Sequence, residues 1–163
     1  MSIAAFGAWL VTALLGLYMF TIWLIEDDES EREAGIRGLR APVVFSHVGL
    51  AFIGLACWFV YLNVDVEQLA WAAAGIVVIV AVLGAAMFTR WIGIRRIASA
   101  QAALVAQPAI PPSVFDPEPA VRPAALRGPA LPPERNFPVG VVALHGICAV
   151  ITVALVLAAV AIG

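Results

Sequence analysis

Four stretches of about 20 or more mostly apolar residues, 4–25, 42–64, 69–93 and 138–162, leave this chain little choice of fold. Wound as α-helix at ~1.5 Å per residue, each is long enough to cross a ~30 Å hydrocarbon core. With 63% hydrophobic and 12% charged residues in 163, the chain has too little polar surface to cover a water-facing globule. The expectation is an all-α polytopic membrane protein, a four-helix bundle forming a single membrane domain over 1–163. The first stretch lacks the basic start of a signal peptide and a convincing small-residue cleavage site, so it is expected to stay as a helix. Pro42 and Pro138 stand at helix starts, where a missing N–H costs little.

Arginine placement orients the spans. Arg32, Arg37 and Arg40 fall in the 26–41 connection; Arg90, Arg95, Arg96, Arg122, Arg127 and Arg135 fall at the end of span 3 or in the 94–137 connection. The N-terminus, the turn around Asp65 and Glu67, and the C-terminus hold none. The positive-inside rule then puts both termini outside and both long connections in the cytoplasm. The nine basic residues are all arginine, and alanine, valine and proline abound. Such usage suggests a GC-rich bacterial genome, such as an actinobacterial one, and hence the bacterial inner membrane. A net charge of −2 gives no reason to expect a nucleic-acid partner.

Trp9, Trp58 and Trp71 lie near the outer boundary, Trp23 and Trp91 near the inner one, as an aromatic belt anchoring the bundle would have them. Cys57 and Cys148 sit inside apolar runs and are expected to pack between helices rather than to form a disulfide. The acidic run EDDESERE at 26–33 is expected to be a solvated or partner-facing patch. In the second connection, 95–107 is expected to prolong helix 3 beyond the membrane. The Pro/Ala-rich part after it favours an extended segment, disordered or held against a partner or a second copy of the chain.

Spans 1 and 3 share a pattern. Leu15-Gly16-Leu17-Tyr18-Met19-Phe20-Thr21-Ile22-Trp23 matches Leu83-Gly84-Ala85-Ala86-Met87-Phe88-Thr89-Arg90-Trp91 at six of nine positions. Each is followed by a long connection, then by a helix with a proline near its start and a histidine beyond: Pro42 with His47, Pro138 with His145. The chain is therefore expected to be two helical hairpins related as parallel repeats, by an axis along the membrane normal. Gly16 and Gly84 would face equivalent contacts and permit close approach of a helix or a flat ligand.

His47 and His145 are the only histidines, and they occupy equivalent places. Helical rise puts them ~7–10 Å inside the inner boundary. Met19 and Met87 fall at much the same depth, so two imidazoles and two thioethers are candidates for one layer. Ala51 and Gly54 after His47, and Cys148, Ala149 and Thr152 after His145, would leave room beside each ring. Two imidazoles across a bundle are the axial ligand set of haem b, with Gly16 and Gly84 lining the slot and Arg90 able to pair with a propionate. The blander alternative is a pair of histidines acting as hydrogen-bonded packing between helices.

With four spans, His47 and His145, the chain resembles the membrane b-type cytochromes built on four-helix bundles, the cytochrome b561-like proteins and small respiratory anchor subunits. The resemblance implies haem b and an electron-transfer role, with menaquinone a candidate redox partner. The b561 pattern uses four histidines for two haems; two histidines here allow one bis-histidine haem, so transfer across the whole membrane would need a partner. The start of span 4, Phe137-Pro138-Val139 through His145-Gly146, is similar to that of small actinobacterial four-helix membrane proteins of unassigned role. Competing expectations are a non-enzymatic accessory or anchor subunit of a larger membrane complex, and a soft-metal site of His47, His145, Met19 and Met87. No nucleophile motif or intramembrane acid–base pair points to a self-contained enzyme.

Overall fold

The structure, a computed structural model, describes residues 1–26, 39–106 and 132–162. Within them lie four long helices: α1 (Ser2–Glu26), α2 (Ala41–Val64), α3 (Glu67–Val105) and α4 (Val139–Ile162), with a 3-10 turn at Pro133–Asn136 before α4. All four are long and apolar enough to cross a membrane. The acidic run from residue 27 onward and the Pro/Ala-rich part of the second connection, 107–131, lie outside the described residues.

Local signals account for the helix ends. Pro42 occupies the first turn of α2, and the Pro138 carbonyl accepts from the N–H groups of Val141 and Val142 at the start of α4. Asp65 closes α2 in the left-handed region (φ 53°), its N–H donating to the Tyr61 carbonyl at 2.9 Å. One residue on, Val66 enters α3, and Glu67 in its first turn suits the positive end of the helix dipole. α3 has 39 residues against 24 for α2 and α4, so it runs roughly 20 Å further, carrying Arg95 and Arg96 on the extra length.

The helices alternate in direction and make two cores. At the end holding the Asp65 turn (the turn end), Ala5 and Trp9 of α1, Trp58 of α2, Ala70, Ala73 and Val77 of α3, and Val156 and Ala159 of α4 are buried together. At the end holding both long connections (the loop end), Trp23, Val44, Trp91, Phe137 and Val142 form the second core. α1 packs most extensively on α4 and α2 on α3, while the α1–α2 and α3–α4 seams are slighter. The bundle is thus two tight pairs laid against each other. Outward faces are apolar as well: Leu14, Phe52, Val82 and Val150 are all exposed. Helices apolar on every side are what a hydrocarbon solvent calls for, and in water such a surface would aggregate.

The tryptophans depart from the expected belt. Only Trp71 is well exposed, its indole donating to Glu67. Trp9, Trp23, Trp58 and Trp91 turn inward. Trp9 fills the space left by Gly54, where an added Cβ would stand 2.8 Å from the indole, and the Trp58 N–H donates to the Ser2 carbonyl at 3.0 Å. Gly54 therefore makes room for an indole across the α1–α2 seam rather than for an imidazole.

Candidate functional site: two histidines between two helix pairs

Between the two cores, His47 and His145 approach each other, with ring centroids 6.5 Å apart and planes inclined at 61°. Each belongs to a different pair, His47 to α2–α3 and His145 to α1–α4, so they meet across the boundary between the pairs.

Each ring is held the same way. His47 Nδ1 lies 3.1 Å from the carbonyl of Val80 on α3; His145 Nδ1 lies 3.0 Å from that of Thr12 on α1. A carbonyl only accepts, so each Nδ1 must carry the proton. A neutral imidazole so tied presents its lone pair at Nε2, the tautomer a metal-ligating histidine adopts when its other nitrogen is bonded to the backbone. Gly84, one turn beyond Val80, and Gly16, one turn beyond Thr12, lie against the rings. A Cβ at Gly84 would stand 3.1 Å from His47 Cε1, and one at Gly16 3.0 Å from His145 Cε1. A glycine of the facing helix thus gives room beside each imidazole.

Thr152 meets Thr12 at 3.0 Å, and each hydroxyl lies 2.8 Å from the carbonyl four residues back, Cys148 and Ala8. With one proton per hydroxyl and three contacts to serve, one threonine donates to the other and the second donates to its own helix. This polar bridge between α1 and α4 adjoins the His145 anchor, because Thr12 takes part in both. Met19 and Met87, one turn beyond the glycines, pack against the loop-end core that holds Trp23 and Trp91. Arg90 is exposed on α3, while its neighbour Trp91 is buried. Cys57 and Cys148 are half-buried free thiols.

The ring separation sets what could lie between the imidazoles. Two metal–imidazole bonds of ~2.0 Å, plus the span from each nitrogen to its ring centre, put rings on opposite sides of one ion about 6–6.5 Å apart. The observed 6.5 Å between ring centres is compatible with that spacing. Two imidazoles, each with Nδ1 bonded to a backbone carbonyl, thus meet at the boundary between the helix pairs. Among the described residues no three or more histidine, cysteine or carboxylate side chains converge as a metal cluster.

The loop-end core below the histidines carries a second peculiarity. Among the described residues, three buried side-chain atoms have no hydrogen-bond partner: Trp23 Nε1, Trp91 Nε1 and Glu134 Oε2. The other Glu134 oxygen accepts the Leu39 N–H and ties the 3-10 turn to the start of α2. An unmet buried donor costs about 1–3 kcal/mol. Trp23 and Trp91 are the last residues of the shared nine-residue pattern, each stacked on the phenylalanine three residues earlier, Phe20 at 6.2 Å and Phe88 at 5.7 Å.

The chain matches no family model, no curated protein and no solved structure.

Proposed function

We propose that this chain is a membrane electron-transfer protein of four spans that holds one haem b between His47 and His145. The observation that carries the reading is the separation of the two rings, 6.5 Å, with each Nδ1 committed to a backbone carbonyl. Packing histidines would account for the Nδ1 bonds; the approach of the two rings to 6.5 Å with a glycine against each is what favours a shared ligand. Haem b would add reversible one-electron chemistry; the residues named here would set ligation, slot and dielectric.

The bundle is read as two parallel hairpin repeats. Supporting this, contacts recur at constant offsets: Thr12 and Gly16 do for His145 what Val80 and Gly84 do for His47. Residue usage supports reading the chain as a bacterial inner-membrane protein, and the arginine distribution supports both termini outside. One haem near the cytoplasmic side reaches only part of the way across, so a partner protein, a second copy of the chain or menaquinone would complete the path.

The first experiment is the reduced-minus-oxidised visible spectrum of protein purified in detergent after expression with ample haem. The expected result is a sharp six-coordinate b-type α-band, abolished with haem retention in both His47→Ala and His145→Ala. Wild-type haem content in both variants would sink the reading. A folded protein that takes up no haem would point instead to the accessory-subunit role.

A further inference from the structure

The two unpartnered indoles deepen the haem reading, on which the following inference rests. Trp23 is 2% and Trp91 9% exposed, and neither Nε1 has a partner among the described residues. Trp58, buried at the turn end, has its N–H satisfied by a backbone carbonyl. Such bonding is thus available to a buried indole of this bundle, yet the two at the loop end go without it.

Their register is informative. Trp23 follows Gly16 by seven residues and Trp91 follows Gly84 by seven. Seven residues are close to two full turns, so glycine and tryptophan share a face of their helix, ~10.5 Å apart along it. The glycines lie against the two imidazoles. The indoles therefore sit beneath the histidine layer on the faces that hold the rings, one on each helix pair, at a depth comparable with the half-width of a porphyrin plus its carboxylate arm. An indole N–H only donates, so its partner must be an acceptor, and a carboxylate oxygen is the strongest ordinary one.

We infer that Trp23 and Trp91 are the carboxylate-binding pair of the site, each indole N–H donating to one propionate of the haem held above it. The macrocycle is thereby fixed with its acidic edge toward the loop end and its apolar edge toward the turn end. This assigns the propionates to buried neutral donors rather than to the exposed Arg90 guanidinium. It also gives the Phe20–Trp23 and Phe88–Trp91 stacks a purpose, since each phenylalanine ring holds its indole in place.

The test compares haem b with its dimethyl ester, which keeps iron and ring but replaces both carboxylates by esters. Wild-type protein is expected to bind haem b more tightly than the ester, by about ten-fold for each indole–carboxylate bond. Trp23→Phe and Trp91→Phe should each lose about half of that preference on a logarithmic scale, and the double variant should bind the two alike, still with a bis-histidine spectrum. A second readout needs no variant to fold. In protein labelled with 15N-tryptophan, two indole N–H resonances should move downfield on adding reduced, diamagnetic haem b, and move much less with the ester. If the protein binds haem b with a bis-histidine spectrum but shows no preference over the ester and no movement of the indole resonances, this inference is overturned and the haem reading stands. If neither porphyrin binds the folded wild-type protein, both fall together.

Discussion

Single atoms decide the geometry of the histidine layer. A methyl group at Gly16 would stand 3.0 Å from His145 Cε1, and one at Gly84 3.1 Å from His47 Cε1, both tighter than ordinary carbon contact. The imidazole would have to swing away, and its Nδ1 bond to Thr12 or Val80 would lengthen with it. Gly16→Ala and Gly84→Ala are therefore expected to weaken haem binding by roughly ten-fold each, as lost outer-shell orientation commonly does. Gly7→Ala is the control, because nothing lies within 4 Å of a Cβ there. It should bind haem normally and gain slightly in helix stability. Titration of the three purified variants with haem, followed by absorbance, separates a contact at the ring from a general effect of filling a glycine.

At the scale of the element, the tightest constraint is the reversal between α2 and α3. Two residues, Asp65 and Val66, separate the helices, and Asp65 makes the turn by taking the left-handed conformation at φ 53°. Aspartate tolerates that region better than most residues, glycine better still, and a β-branched residue poorly. Asp65→Gly should leave the thermal unfolding midpoint unchanged or slightly raised. Asp65→Val should lower it by several degrees, corresponding to about 1–2 kcal/mol. Scanning fluorimetry of the detergent-solubilised variants reads both. An equal midpoint for the two would mean that the turn is set by the packing of Trp58 and Tyr61 rather than by the backbone preference of residue 65.

At the scale of the whole molecule, both long connections leave from one end of the bundle, and Arg40, Arg90, Arg95, Arg96 and Arg135 stand at that same end. Orientation is therefore testable with two cysteines in a background of Cys57→Ala and Cys148→Ala. Ser2→Cys should react with a membrane-impermeant maleimide in intact spheroplasts. Ser113→Cys should react only in inverted vesicles. The opposite pattern would overturn the placement of the termini outside and would put the loop-end core, with its indole pair, at the outer face.

Much of this protein is legible in one dimension. Runs of apolar residues that long must become helices, because unpaired backbone polar groups are too costly in hydrocarbon. The Met-Phe-Thr-x-Trp pattern recurs 68 residues on, in α1 and α3, and the two histidines each follow a proline near the start of a helix, α2 and α4. Rotation of each helix about its own axis is another matter. These helices are apolar on nearly every side, so no amphipathic stripe tells which residues face inward. A tryptophan near a membrane boundary has the same sequence signature whether it anchors in lipid, as exposed Trp71 is free to do, or packs inside, as Trp9, Trp23, Trp58 and Trp91 do. The glycine against each imidazole, the carbonyl that fixes its tautomer and the two indoles without partners all depend on contacts between helices far apart in the chain. The length of the apolar runs decided that there would be four helices and the order of residues along each; only the packing of the two pairs decided which faces meet, and with them the candidate site.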